Sequence, residues 1–243
     1  MLACKDVGAG KLPKEELLYN HILQEILYEK DLAGKKVLVT AGPTCEPVDP
    51  VRIYTNRSSG KMGYALAREC SLRGADVTLV TGKTALEPWP FVKVVPIETA
   101  QQMFDEVTSR APEMDIIIKA AAVADYRPKT VANEKIKKSD GEFVLEFERT
   151  NDILQYLGQH KPDGQFLCGF SMETENLLEN SRKKLAKKNA DMIVANNLKV
   201  EGAGFAGDTN VVTLITADAV KELPLMSKEQ VAHHLIDEIA ARL

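Results

Sequence analysis

Short apolar runs of strand length alternate with stretches of helical period along most of the chain. KKVLVTAG (35–42) reads as a strand. SSGKMGYALARECSLRG (58–74) reads as a helix opened by Ser58 and Ser59 and stopped by Gly74, and ADVTLVTG (75–82) as a second strand, giving one β-α-β unit. The pattern continues through a strand VKVVPI (92–97), a helix TAQQMFDEVTSR (99–110) in which Thr99 and Gln102 have capping-box spacing, and a strand DIIIKAAAVAD (115–125). EFVLEFERT (142–150) alternates strictly, with Phe143, Leu145 and Phe147 on one face, and predicts a half-exposed strand. A helix from Asn151, a strand QFLCGFS (165–171), a long helix NLLENSRKKLAKKNA (176–190), a strand DMIVANN (191–197) and a final strand NVVTLITAD (210–218) follow. Ser227 and Gln230 have capping-box spacing ahead of a last helix with an apolar stripe of Val231, Leu235 and Ile239.

Alternating strands and helices predict an α/β fold: a doubly wound, mostly parallel, Rossmann-like sheet with helices on both faces. Residues 126–150 and 198–224 fit the alternation poorly and read as loops or a protruding β hairpin and flap beside the sheet. Ahead of the sheet, LPKEELLYNHILQEILYEKDL (12–32) reads as one amphipathic helix, which divides the chain into an extension, 1–33, and a main domain, 34–243.

Composition narrows the function classes. A net charge of −4 over 243 residues argues against general nucleic-acid or membrane-surface binding, so an anion site must be local. Cys4, Cys45, Cys70 and Cys168 have no metal-ligand spacing and read as reduced thiols. No apolar run is long enough to span a membrane, and the N-terminus has no signal-peptide pattern; a cytoplasmic protein is expected.

Chemistry in such a sheet belongs beyond the carboxyl ends of the strands. After the first strand, TAGPTCEPVDPVRIYTNRSSGKMG (40–63) carries Arg52, Asn56, Arg57, Ser58, Ser59 and Gly60 to a helix N-terminus, where free N–H groups favour an anion. It matches neither G-x-G-x-x-G nor G-x-x-x-x-G-K-[ST]. After the strand ending at Ala124 come Asp125, Tyr126 and Arg127, then a loop with Lys129, Lys135, Lys137 and Lys138; ammonium groups beside a strand-end carboxylate suit a polyphosphate carrying a divalent cation. Lys184 and Lys188 lie one turn apart on one face of the long helix, and Phe170, Ser171 and Glu173 follow another strand. His233 and His234 are adjacent on a helix and project about 100° apart, a poor grip for one metal. These residues suit a phosphate-rich ligand and do not name a reaction; a nicotinamide-dependent reductase and a non-catalytic nucleotide-binding protein both fit them.

TAGPTCEPVDPVRIYTNRSSGKMG, AAAVADYRPKTVANEKIKK, GFSMET and GFAGDTN, in this order, resemble phosphopantothenate-cysteine ligase from about Gly34 to Leu243. That family forms the C-terminal half of a bifunctional protein of coenzyme A biosynthesis. LACKDVGAGKLP (2–13) resembles the tail of its partner half, the flavin-dependent phosphopantothenoylcysteine decarboxylase, with Cys4 at the proton-donor cysteine. The resemblance implies activation of 4′-phosphopantothenate by CTP to an acyl-cytidylate, with Mg²⁺, followed by attack of L-cysteine. FMN would enter only with the missing decarboxylase domain. Motif matching implies nucleotide contacts at Asp125, which also faces the cation, and at Lys135, Asn151, Asp152, Ile153, Leu154, Phe170, Lys184 and Lys188. It implies acyl-side roles for Arg52, Asn56 and Ala122, a lysine flap over the nucleotide at 126–138, and a homodimer. Selection of CTP over ATP cannot be read from these residues.

Overall fold

The computed structural model describes residues 12–138, 142–173, 176–197 and 207–243. An eight-stranded sheet forms the centre. Its strands are β1 (Lys36–Ala41), β4 (Asp76–Thr81), β5 (Lys93–Pro96), β6 (Ile116–Lys119), β9 (Phe166–Glu173), β10 (Met192–Asn197), β11 (Thr209–Ile215) and β12 (Val220–Ser227), in the order β12-β11-β10-β9-β6-β1-β4-β5. The six from β10 to β5 run parallel, and β11 and β12 close one edge as an antiparallel hairpin. Four of the intervening helices are α2 (Lys61–Leu72), α3 (Ala100–Arg110), α4 (Ile153–Gln159) and α5 (Leu177–Lys187), and α6 (Lys228–Ala240) ends the chain.

Alternation along the strands sorts the core into two layers. Val37, Val39, Ile116 and Ile118 pack with Leu66 and Cys70 of α2 and with Val231, Leu235 and Ile239 of α6. Leu38, Ile117 and Leu167 face the other way, against Met103 and Val107 of α3 and Ile153 and Leu157 of α4. Each such side chain, fully withdrawn from water, contributes about 1.5–3 kcal/mol before the entropy of ordering is subtracted. Both predicted capping boxes are present: Thr99 with Gln102, and Ser227 with Gln230.

Several boundaries differ from the sequence expectation. The N-cap of α2 is Gly60, not a serine; its φ of 81° lies in the left-handed region, and a Cβ there would come within 2.7 Å of Thr84 Cγ2. The strand expected over 115–125 stops at Lys119, because the next residues bond to the end of β1 and the loop after it: the Ala121 and Ala124 N–H groups donate to Thr40 and Thr44 Oγ1, and Ala122 N–H to Gly42 O. The helix expected from Asn151 starts at Ile153, with Asp152 as its cap. The last strand expected, 210–218, is followed by β12, an edge strand in which Pro224 is accommodated where two residues of β12 oppose Val211 at a bulge.

Two small ribbons stand beside the sheet. β2 (Cys45–Pro47) pairs with β3 (Ile53–Thr55), and β7 (Tyr126–Pro128) with β8 (Phe147–Arg149). Of the alternating run 142–150, only residues 147–149 form a strand, and Phe143 is exposed. The ribbons touch edge-to-face through Tyr54 and Phe147, with ring centroids 5.0 Å apart.

The helix expected over 12–32 is shorter, α1 (Glu15–Ile26), and buries none of its residues. Beyond it Leu32 enters the main core, and polar contacts fasten the segment to α2. Trp89 Nε1 donates to Gln24 Oε1 (2.9 Å), Gln24 Nε2 to Ser71 O (2.6 Å), and Lys30 Nζ to Leu72 O (2.7 Å). The buried Arg73 guanidinium pairs with Asp31 and with Asp237 of α6 (2.7 Å), 4.0 Å from the buried Glu69. Burial pushes the Glu69 carboxyl up, against the opposing hydrogen bond from His233 Nδ1 at 2.8 Å.

Candidate functional site

The carboxyl ends of β6 and β9 open into two neighbouring cavities that share Ala121 and Phe170. The larger, about 530 Å³, is walled by the end of β6, the N-terminus of α4 and one face of α5. It brings together Asp125, Asn151, Asp152, Ile153, Leu154, Phe170, Lys184 and Lys188 from four separate segments. The smaller, about 110 Å³, lies at the N-terminus of α2 between Ser58–Gly63, Ala120–Ala122 and Phe170–Met172.

Position in the larger cavity follows from local structure. Asp152 caps α4 by accepting from Gln155 N–H at 2.9 Å and also takes Lys188 Nζ at 2.6 Å. Burial works to raise its carboxyl. The Lys188 bond, the Gln155 N–H and the charges of Lys188 and Lys119 outweigh that and hold it below the ordinary carboxylate range. Lys188 Nζ reaches Gln155 Oε1 as well (3.1 Å), and Lys184 Nζ, one turn back, donates to Ser171 Oγ at 2.8 Å.

The α4–α5 junction holds these lysines in place. Asn189, at a φ of 47°, donates through Nδ2 to Gly158 O at 2.8 Å, and the Lys188 carbonyl lies against the Gly158 Cα where a side chain would clash.

Of the acyl-side candidates, Arg52 and Asn56 lie on the loop after β1 and Ala122 just beyond β6. Asn56 Nδ2 donates to Ala122 O at 3.1 Å, and the same carbonyl accepts from Thr44 N–H at 3.2 Å. Arg52 does not face either cavity. Its guanidinium pairs with Asp49 (2.6 Å) and donates to Ile136 O (3.1 Å). Burial works to raise the Asp49 carboxyl, but N–H groups of Val51, Ile136 and Arg52, with the Arg52 charge, hold it low. Lys135, beside Ile136, is exposed and lines neither cavity. Lys129 pairs loosely with Glu146 at 3.6 Å. Cys4 and Thr174, and residues 204–206 of the GFAGDTN motif, lie outside the described residues.

The family model of the DNA/pantothenate metabolism flavoprotein C-terminal domain matches residues 32–243. The chain belongs to this family. Among similar proteins, the coenzyme A biosynthesis bifunctional protein CoaBC of Bacillus subtilis (strain 168) is 48% identical over 99% of this chain. CoaBC of Escherichia coli (strain K12) is 40% identical over 99%. The chain spans 60% of the length of each of these relatives. A solved C-terminal domain of CoaBC superposes with a TM-score of 0.76 at 46% identity, covering 88% of this chain and 98% of that one. The DNA/pantothenate metabolism flavoprotein from Streptococcus pneumoniae superposes with a TM-score of 0.75 at 27% identity, covering 86% of this chain and all of that one.

Within this flavoprotein C-terminal domain, the donors at the larger cavity suit a cation carried in on phosphate. Among the described residues no three His, Cys, Asp or Glu side chains cluster as a protein cage. Asp125 offers the single carboxylate with which Mg²⁺ can be held when its other ligands are phosphate and water, whereas both oxygens of Asp152 are taken by Gln155 N–H and Lys188. No helix among the described residues is long and apolar enough to cross a membrane.

Two cationic cavity residues, Lys119 and Arg149, are not marked by the sequence motifs. Lys119 closes the apolar run DIIIK, which reads as strand interior, yet it sits where β6 leaves the sheet. The available signal was a lysine among three isoleucines and three alanines, which a buried strand interior would not tolerate unpaired.

Proposed function

We propose that this chain is the phosphopantothenate-cysteine ligase portion of a coenzyme A biosynthesis protein. The observation that carries the reading is the pair of strand-end cavities joined through Ala121 and Phe170, one of them cationic and the other at the α2 N-terminus beside the Asn56–Ala122 contact. A carboxylate is a poor electrophile. In the first half-reaction a carboxylate oxygen of 4′-phosphopantothenate attacks the α-phosphorus of CTP, forming the acyl-cytidylate and releasing pyrophosphate. In the second, the cysteine amine attacks the acyl carbon, and CMP leaves with its bonding electrons while the amine loses a proton.

Lys184 and Lys188 are suited to the nucleotide phosphates; Asp125 would hold Mg²⁺, which would supply charge that offsets the repulsion between two anionic substrates. Lys135, on the flap, would reach the nucleotide only by movement of that loop, and this supports a closing step during activation. The Asn56 carboxamide, whose Nδ2 donates to Ala122 O beside the smaller cavity, would hold the acyl carbonyl during cysteine attack. Arg52 acts through the loops it braces.

Exposed Val51, Ile53, Tyr54, Tyr126 and Phe143, gathered on and near the two ribbons, support a homodimer formed there. The fused decarboxylase domain, with its FMN, would be the other partner, in a cytoplasmic setting.

The test is pyrophosphate release by the purified chain with Mg²⁺ and 4′-phosphopantothenate, comparing CTP with ATP, with and without cysteine. CTP-selective release, with CMP and the amide appearing only when cysteine is present, is the expected result. Folded protein that releases no pyrophosphate from either nucleotide would overturn the reading.

A further inference from the structure

Lys119 has a chemistry that the motif resemblance does not supply. Ile116, Ile117 and Ile118 ahead of it are fully buried, and Ala121 after it is tied back to Thr40 Oγ1. The lysine therefore stands half-buried at the strand end, in the wall of the larger cavity. Among the described residues its Nζ makes no hydrogen bond or ion pair. The two other cavity lysines are already engaged, Lys184 by Ser171 and Lys188 by Asp152 and Gln155.

The charged and titratable groups that line the same cavity are Asp125 beyond β6, Asp152 at α4, Lys184 and Lys188 of α5, and Tyr126 and Arg149 of the β7–β8 ribbon. Charge attraction from Asp152 and Asp125 favours the ammonium, but loss of hydration is the larger effect and pushes its pKa down to about 8. A polyanion entering the cavity would reverse that balance by supplying the partner the ammonium lacks.

Given the nucleotide reading of the cavity, on which this rests, we propose that Lys119 is a third polyphosphate-binding residue and that it takes up a proton from solvent as the nucleotide enters. The sign follows from the free amine. Below pH 8 it is already charged, so binding takes up little; above pH 8 it is neutral, so binding must recruit a proton. With the bound ammonium retained well above pH 9, uptake at this residue is about 0.1 proton at pH 7 and about 0.9 at pH 9, and affinity falls about tenfold between them.

Calorimetric titration of CTP into the full chain at pH 9, in two buffers of different ionisation enthalpy, reads the uptake directly on the wild type. The nucleotide phosphates are by then already deprotonated. The same titration on Lys119→Met should show the uptake gone and affinity at pH 7 reduced, whereas Lys119→Arg should bind without uptake because its charge is permanent. CTP binding by wild type with no uptake, or with the same uptake in Lys119→Met, would overturn the role of Lys119 and leave the nucleotide reading standing. Failure of CTP, ATP and inorganic tripolyphosphate alike to bind the folded wild type would overturn both.

Discussion

Replacing Gly158 by alanine tests whether the α4–α5 junction positions the nucleotide lysines. On helix propensity alone the change should help, since alanine is favoured over glycine by about 1 kcal/mol inside a helix. The structure predicts the opposite sign. A Cβ at Gly158 would lie 1.7 Å from the Lys188 carbonyl oxygen and 2.7 Å from its carbon. Ordinary contact begins at about 3.4 Å, so the end of α5 must retreat by roughly 1.7 Å or α4 must unwind. Overpacking of this kind costs about 1–3 kcal/mol, and strain on the Asn189–Gly158 hydrogen bond adds about 1 kcal/mol. Subtracting the propensity gain leaves a net loss of about 1–3 kcal/mol, a fall in Tm of about 2–12 °C for a domain of this size.

Because Lys188 occupies the displaced position, CTP affinity should fall as well, about tenfold if its contact with phosphate is lost. Urea denaturation and CTP titration of Gly158→Ala measure the two effects separately. A variant as stable as wild type, with unchanged CTP affinity, would refute the reasoning.

Arg73→Met should lower stability by about 3–5 kcal/mol, because Asp31, Asp237 and the buried Glu69 lose their shared cation; thermal denaturation checks this, and a change under 1 kcal/mol would count against it. Lys135→Gln should slow CTP-dependent pyrophosphate release about ten- to a hundred-fold, with little change in Tm because the side chain is exposed. Asn56→Asp exchanges a donor to Ala122 O for a carboxylate oxygen; pyrophosphate release should persist while amide formation falls about 10²–10³-fold and acyl-cytidylate accumulates, as chromatography of the quenched reaction would show. Equal loss of both half-reactions in both variants would refute that division of labour.

Features decided within a few residues were legible in the sequence. The two capping boxes and the α6 stripe of Val231, Leu235 and Ile239 need only local spacing, and all are present. The layered α/β sheet was legible for the same reason. What escaped was decided by residues far apart. Ala120–Ala124 reads as strand because nothing local reveals that Thr40 and Thr44, some eighty residues earlier, draw the chain out of the sheet. That early exit is what frees Lys119, so the misplaced boundary and the overlooked cavity lysine have a single cause. Pro224 argues against a strand until the edge position and the bulge that accommodate it are known. Asp125, Asn151, Asp152, Ile153, Leu154, Phe170, Lys184 and Lys188 meet in one cavity, but Arg52, Asn56 and Lys135 line neither cavity and Ala122 lines the smaller one, a separation that no spacing rule foretells.

Asp49 ties together two loops that the sequence keeps more than eighty residues apart. Its carboxylate accepts N–H groups from Val51 and Arg52 on the first loop and from Ile136 on the second, while Ala132 N–H reaches Val48 O. The loop bearing Asn56 and the loop bearing Lys135 are thus held to one another at Asp49. Anyone building chimaeras from relatives of this domain should therefore exchange residues 43–60 and 126–138 together, since a crossover between them would join halves of a clasp made to different measures.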